Sequence, residues 1–105
     1  MTGYIVVFVT APTKKEAQKI ASTLLKKKLC ACVNMIHGVK SLFHWEGKID
    51  NAEETLLVIK TKRSSYPKLE KAVKGVLNYS VPEIIALPII SGSRGYLNWI
   101  QKTVK

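Results

Sequence analysis

Acidic residues are scarce in this 105-residue chain: 7 Asp and Glu stand against 17 Lys and Arg, giving a formal net charge of +10. An excess of this size makes nucleic acid, anionic lipid and acidic small molecules candidate partners. The lysines between Lys14 and Lys28 alternate with an apolar helical stripe and form no uninterrupted basic run. We therefore interpret most of the positive charge as the solvation of helix faces.

Long hydrophobic runs and cysteines are also few. The apolar run Ile5–Val9 is too short to span a membrane and has no basic lead-in, so we expect neither a transmembrane segment nor a signal peptide. The two cysteines are Cys30 and Cys32. On a strand they would share one face with Cα atoms about 7 Å apart, at the limit for a disulfide. We expect free thiols, a reducing compartment and a cytoplasmic protein.

The length predicts one domain over residues 1–105. Hydrophobic periodicity predicts the order β-α-β-β-α-β followed by a short helix. The predicted strands are Tyr4–Thr10, Leu29–Trp45, Thr55–Thr61 and Glu83–Ile90, and the predicted helices are Lys14–Lys28, Ser64 to near Asn78, and Tyr96–Val104. With right-handed crossovers this order gives an α+β fold, the ferredoxin-like βαββαβ sandwich with an extra C-terminal helix.

Local signals fix several boundaries. Thr13 and Glu16 form a capping box for the first helix, and Gly38 predicts a bulge or bend in the second strand. Ser64-Ser65 predicts the N-cap of the second helix, with Pro67 in its first turn. Glu46-Gly47 is expected to begin a turn, Asp50–Glu54 to form a polar connection, and Pro88 to place the last strand at an edge or a bulge.

The strand composition also bears on assembly. The first strand is apolar at consecutive positions, which is typical of a strand covered on both faces. Two helices cover only one face of a ferredoxin-like sheet. A second copy of the chain is therefore expected to cover the other face.

Two functions that this fold supports elsewhere are disfavoured by missing motifs. Thr55–Thr61 offers no aromatic ring on which an RNA base could stack, so nucleic acid is disfavoured as a partner. The loop after the first strand, Thr10–Thr13, lacks the glycines and arginine of a phosphate-cradling loop, which argues against acyl-phosphate hydrolysis.

The remaining chemistry leaves two hypotheses open. Cys30, Cys32, His37 and His44 are residue types that suit copper or zinc, although their spacing matches no closed tetrahedral site. A small anionic ligand could instead bind in a cleft between subunits, through Lys60, Tyr79 and Glu83 near strand ends. No nucleophile, base and orienting group occur at recognisable spacing, which disfavours an enzyme.

Five blocks resemble, in order, the CutA family of divalent-cation tolerance proteins. They cover almost the whole chain and read LLKKKLCACVN (Leu24–Asn34), SLFHWEGKI (Ser41–Ile49), LLVIKT (Leu56–Thr61), YSVPEIIALPI (Tyr79–Ile89) and YLNW (Tyr96–Trp99). The resemblance implies a ferredoxin-like protomer in a homotrimer similar to the PII signalling proteins. It also implies a non-enzymatic role in copper or divalent-metal tolerance, mostly in the cytoplasm, with copper or another divalent metal as a candidate ligand.

The resemblance assigns site residues by position. Cys32 corresponds to the family cysteine and is the candidate metal ligand, while Trp45, Lys60, Tyr79 and Glu83 correspond to family positions near the cleft between protomers. Many members have a His-Pro-Tyr segment where this chain has Leu77-Asn78-Tyr79. A copper site built from that histidine cannot form here in the same way, and His37 and His44 are not family ligand positions. A trimeric scaffold that presents a partner-binding surface, without a metal function, is the alternative hypothesis.

Overall fold

The computed structural model describes residues 3–105 and has the predicted α+β, ferredoxin-like architecture. Its elements are β1 (Tyr4–Ala11), α1 (Lys14–Lys26), β2 (Cys32–Trp45), β3 (Lys48–Lys62), a 3-10 turn (Arg63–Ser65), α2 (Tyr66–Val76), β4 (Ile84–Pro88) and α3 (Arg94–Thr103). The four strands form one antiparallel sheet in the order β2-β3-β1-β4. The fold class predicted from the sequence is thus confirmed.

The main core lies between this sheet and the helices α1 and α2. Alternate residues of the central strands point into it, and Val7, Val9, Leu57 and Ile59 are completely buried. The other residues of β1, such as Phe8, point to the opposite face and are only half-buried. Within one chain β1 is therefore covered on one face only, whereas the sequence predicts cover on both faces.

The uncovered side of the sheet, which we call the open face, is closed at one end by α3. Ile100 and Val104 pack there against Ala31, next to Tyr4 at the start of β1. The remainder of the open face keeps large apolar side chains in contact with solvent, with Ile36 and Ile85 each 50% exposed. Large exposed apolar surfaces of this kind mark interaction sites in soluble proteins.

The β2–β3 hairpin is much longer than the sequence predicted. The segment Asp50–Glu54, expected as a polar connection, belongs to β3, and β2 begins at Cys32 instead of Leu29. The polar segment is a strand because β2 supplies its backbone partners, with Asp50 opposite Phe43 and Glu54 opposite Val39. Cross-strand hydrogen bonds form whatever the polarity of the side chains.

The far half of this hairpin has no other strand beside it. β1 ends opposite Thr55, so residues 48–54 of β3 pair with β2 alone.

The predicted bulge at Gly38 is present: the register shifts between Ile36 and Val39, and Gly38 has φ 76°. The radius of gyration is 14.3 Å, against about 13 Å for a compact domain of 100 residues. The hairpin accounts for an elongated molecule.

Helix α1 has a well-defined start and an unusual end. The backbone N–H of Glu16 donates to Thr13 Oγ1 at 3.1 Å, as the capping box predicts. The helix ends at Lys26 rather than Lys28, because the N–H groups of Lys28 and Leu29 turn back to Leu25 and Leu24. This closure places Lys28 at φ 56°. Glycine normally occupies such a left-handed position, and another residue there costs about 1–2 kcal/mol.

The remaining boundaries follow the sequence with one correction. Ser65 occupies the N-cap position of α2 but its side chain makes no capping hydrogen bond, because it is buried in the preceding 3-10 turn. The predicted cap is therefore wrong, although Pro67 lies in the first turn as expected. β4 is shorter than predicted and lies at the edge of the sheet, as Pro88 indicated.

The cap of α1 can be tested by substitution. We expect Thr13→Ala to lower the free energy of unfolding by about 1 kcal/mol, because the N–H of Glu16 loses its acceptor. Ser93→Ala is the matched control, since Ser93 is the N-cap of α3 and makes no capping bond. Chemical denaturation at a fixed protein concentration measures both, and equal losses would contradict the role of the Thr13 hydroxyl.

Candidate functional site

A cleft of about 830 Å³ lies between the protruding hairpin and the segment that leads into β4. We call it the hairpin cleft. Its walls are Lys40–Trp45, Asp50 and Glu54 from the hairpin, Tyr79–Val81 and Glu83 from the segment, and Thr10 at the end of β1. The cleft exists because the hairpin continues past the end of β1 while the chain returns to the sheet beneath it.

Three of the predicted cleft residues meet here. Trp45 is the last residue of β2, 47% exposed, and lines the same cleft as Tyr79 and Glu83. The Tyr79 hydroxyl donates to the carbonyl oxygen of Thr10 at 3.3 Å. This bond ties the segment before β4 to the end of β1 and fixes one wall of the cleft.

The hairpin cleft is acidic in a protein that is otherwise strongly basic. Asp50, Glu54 and Glu83 line it, and Glu16 lies close enough to affect Tyr79. These four residues are more than half of the 7 acidic residues in the sequence. Partial burial, followed by the charges of Glu54, Glu16 and Glu83, raises the pKa of Tyr79. One lysine, Lys40, also lines the cleft, so the carboxylates outnumber the ammonium groups there and favour a cation over an anion.

The other two predicted residues lie elsewhere in the chain. Lys60 is opposite Cys32 in the β2–β3 ladder, and its ammonium group donates to Oδ1 of Asn34. Six residues along β3 separate Lys60 from Glu54, which corresponds to about 20 Å. Within a single chain the hairpin cleft thus contains Trp45, Tyr79 and Glu83 but neither Lys60 nor Cys32.

The two cysteines have different environments. Cys30 is 1% exposed in the main core, whereas Cys32 is half-buried on the strand, with its Sγ atom 4.0 Å from Asn34 Oδ1. The expectation that both share a strand face is wrong, because the strand begins only at Cys32. Burial, and then the neighbouring Cys32, raises the pKa of Cys30 to about 12. Since its side chain is 1% exposed and packed among core residues, Cys30 is a core residue.

No preassembled metal centre occurs within residues 3–105, where no three His, Cys, Asp or Glu side chains converge. His37 is bonded through Nδ1 to the Thr55 hydroxyl at 3.0 Å, and His44 lines the hairpin cleft without joining such a group. A metal held by Cys32 would need donors from outside this chain. The donor types present still suit divalent ions: carboxylates in the cleft and one half-buried thiol on the strand.

Sequence reasoning missed part of the cleft, namely Asp50 and Glu54. The sequence predicts a polar connection at Asp50–Glu54, and this prediction does not place either carboxylate in the wall of the hairpin cleft. The turn at Glu46-Gly47 carried the signal that could have found them. Glu46 and Gly47 both have positive φ, and Trp45 pairs with Lys48 across this two-residue loop. Such a loop fixes the hairpin register, so it continues β3 back to Lys48.

Comparison with known proteins identifies the family. The family model described as CutA1 divalent ion tolerance protein matches residues 5–103. The chain belongs to the CutA1 family. The resemblance noted in the sequence is confirmed, and it extends to the described elements from β1 to α3.

Named CutA relatives come from several kingdoms. The divalent-cation tolerance protein CutA of Thermus thermophilus is 42% identical over 97 residues, covering 92% of this chain and 94% of that protein. The chloroplastic CutA of Arabidopsis thaliana is 43% identical over 101 residues, covering 96% of this chain. The chain spans only 56% of the Arabidopsis protein's length.

The solved CutA structures share the fold closely. The structure named as the periplasmic divalent cation tolerance protein CutA from Archaeoglobus fulgidus has a TM-score of 0.91 and 42% identity, with full coverage of both chains. Relatives are thus named for tolerance of divalent cations, and their compartments differ. Within the described part of this CutA1 chain, no helix is long and apolar enough to cross a membrane.

The electrostatics of the cleft predict how Tyr79 titrates. We expect Glu54→Gln to lower the pKa of Tyr79, because it removes the strongest of the neighbouring negative charges. The raised pKa favours the neutral phenol in the folded protein. Its contribution to stability is therefore complete below pH 10.0 and is lost as the pH rises through the folded-state pKa.

Nuclear magnetic resonance of ¹³Cζ-labelled tyrosine measures this titration, with Tyr79→Phe assigning the signal. Glu70→Gln is the control, since Glu70 influences Tyr66 and not Tyr79. An unchanged Tyr79 pKa in Glu54→Gln would show that the carboxylate does not act on the phenol.

Proposed function

We propose that this chain is a homotrimeric, non-enzymatic protein of divalent-cation tolerance, which binds a metal ion or a small ligand in a cleft between subunits. In this proposal residues 1–105 form a single CutA-like domain. The observation that carries it is the concentration of Asp50, Glu54 and Glu83 in one cleft of a chain with net charge +10. Selective placement of so few carboxylates favours a cationic ligand.

The donor chemistry supports two kinds of ion. Carboxylate oxygens suit hard divalent cations, and the hairpin cleft supplies them on both walls. Thiolate suits copper or zinc, and Cys32 is the half-buried thiol able to supply it. The names of relatives, which refer to divalent-cation tolerance, agree with this choice of ligand.

Two features support assembly into a trimer. The open face exposes Ile36, Ile85 and Leu87, and the hairpin exposes Leu42 and Ile49 to 67% and 71%. The backbone of the hairpin beyond Gly38 also has an unpaired edge within the chain, as does β4. Exposed edges and apolar faces are features that soluble proteins cover with a partner. A trimer would place other donors beside each hairpin cleft and each Cys32.

Two further features bear on whether the protein is an enzyme and on its cellular compartment. The cleft contains no nucleophile hydrogen-bonded to a base in the described chain, which supports a binding protein. The free thiols of Cys30 and Cys32 support a reducing compartment, so we propose the cytoplasm.

A trimeric scaffold without a metal function is the second candidate. The observation that favours it is that no three metal-donor side chains converge within residues 3–105. Exposed apolar residues outside the open face, such as Ile90 at 91%, would then contact the partner protein. The alternative predicts assembly without cation affinity, so the two candidates differ in a measurable way.

The trimer can be tested by placing a charge on the open face. We expect the wild-type chain to sediment as a trimer at micromolar concentration, and Ile85→Lys to sediment as a monomer, because burying one unpaired charge costs several kcal/mol. Leu25→Lys, on α1 and similarly exposed at 44%, is the matched control and should stay trimeric. A wild-type monomer at micromolar concentration would refute the assembly.

Metal binding can be tested by calorimetry with copper and zinc. We expect a Kd tighter than millimolar, weakened at least about tenfold in Glu54→Gln/Glu83→Gln, since removing charged donors costs at least 1.5 kcal/mol. Glu53→Gln/Glu70→Gln removes the same charge outside the hairpin cleft and should bind as the wild type does.

A second arm compares Cys32→Ala with the wild type. Copper affinity that falls in this variant assigns the soft ion to the thiol of Cys32. Binding weaker than millimolar, or affinity that neither the cleft variant nor Cys32→Ala changes, would refute metal binding. The trimeric scaffold without a metal function would then be the remaining candidate.

A further inference from the structure

A second charged region lies at the opposite end of the sheet from the hairpin cleft. The end of α1, one side of α2 from Lys68 to Val76, and residues 102–105 enclose two adjoining depressions of about 500 and 580 Å³. They share Lys27 and Lys105 in their linings. We call this region the lysine patch; its charged side chains are Lys26–Lys28, Lys68, Lys71, Lys102 and Lys105.

The positive charge of the patch is not neutralised within the described chain. No acidic side chain lines either depression, and the single ion pair among residues 3–105 joins Lys74 to Glu70 outside them. The carbonyl ends of α1 and α3 attract lysines, but each carries only about half a negative charge. Two helix ends therefore offset a small part of the seven ammonium groups.

The backbone holds this region in place. The N–H of Lys105 donates to the carbonyl oxygen of Lys28 at 2.9 Å, which joins the end of the chain to the end of α1. Val104 is buried beside Ile100, so the last residues are anchored by packing as well. Because the backbone is already fixed, only the lysine side chains lose conformational entropy when a ligand binds.

Lys28 offers a free ammonium group at a fixed place in the patch. Its left-handed backbone conformation, at φ 56°, closes the end of α1 through the N–H groups of Lys28 and Leu29. The exposed Lys28 side chain makes no hydrogen bond or ion pair with residues 3–105. The helix end explains the backbone conformation, and the side chain is available to a ligand.

The lining of the patch restricts the ligand. It contains no aromatic ring, so it offers no platform for stacking the bases of a single-stranded nucleic acid. Both depressions fall within the size range of small-molecule sites. Ammonium groups bind phosphate oxygens as point charges without demanding a planar geometry. Two connected basic depressions suit an anion whose charges are spread along a short chain.

We propose that the lysine patch binds a linear oligophosphate of at least three phosphate groups, either free or as the triphosphate of a nucleotide. This site is independent of the hairpin cleft and of any metal function. The shared residues Lys27 and Lys105 contact the middle of the phosphate chain, and the outer lysines contact its ends.

Calorimetry with inorganic triphosphate at low and moderate salt tests the proposal on the full chain. We expect binding that weakens steeply with salt and exceeds the affinity for orthophosphate at least about tenfold. Lys27→Gln/Lys105→Gln should lose at least about tenfold in affinity, because charge-assisted contacts to the anion are removed. Lys14→Gln/Lys15→Gln, at the other end of α1, has the same net charge and should bind as the wild type does.

A stability measurement separates the ligand role of Lys28 from a structural one. Lys28→Gly should raise the midpoint of thermal unfolding, since it relieves the left-handed strain, and should weaken triphosphate binding. Glu46→Gly relieves the same kind of strain, at φ 49° in the hairpin turn, and should leave binding unchanged.

Other outcomes identify the source of the phosphate or overturn the site. Equal affinities for inorganic triphosphate and ATP support a free oligophosphate, and tighter ATP binding supports a nucleotide triphosphate. Equal loss in the patch variant and its charge-matched control would overturn the site. So would binding to phosphatidylglycerol vesicles or to RNA in the absence of any triphosphate binding.

Discussion

The antiparallel pairing of β1 with β3 is the constraint on which the rest of this structure depends. It places two strands of very different length, 8 and 15 residues, side by side at the centre of the sheet. One face of the pair is sealed by α1 and α2, and the excess length of β3 has only β2 to pair with. The protruding hairpin, the hairpin cleft and the exposed strand edges all follow from this difference in length.

The same frame separates charge along the molecule. β1 ends beside Glu54 and begins near the lysine patch, so acidic and basic groups occupy opposite ends of the sheet. Helix α1 has Glu16 in its first turn and Lys26 in its last, as its dipole favours, although Lys14 and Lys15 also lie in the first turn. Opposite ends can therefore attract ligands of opposite charge at the same time, because screening at physiological salt acts over about 8 Å.

Predictions from local sequence signals were reliable where the interaction itself is local. The capping box at Thr13, the bulge at Gly38 and the edge position implied by Pro88 each depend on nearby backbone geometry. Predictions failed where a distant partner decides. Asp50–Glu54 is a strand because β2 lies beside it. Ser65 makes no capping hydrogen bond because its side chain is buried. Cys30 lies in the core because β2 begins only at Cys32. Of the cleft residues, Trp45, Tyr79 and Glu83 were found through the family blocks, while Asp50 and Glu54 were missed.

The order of elements, the fold class and the family can be inferred from the sequence alone, because hydrophobic periodicity, helix caps and the five family blocks are local features of the chain. Which charged side chains lie near one another depends on the tertiary structure. Glu16, Glu54 and Glu83 are far apart in sequence, yet the charge of each raises the pKa of Tyr79, while Lys28 and Lys105 are joined by one backbone hydrogen bond. Such convergence depends on strand register and helix packing, which set distances between residues that no local pattern relates.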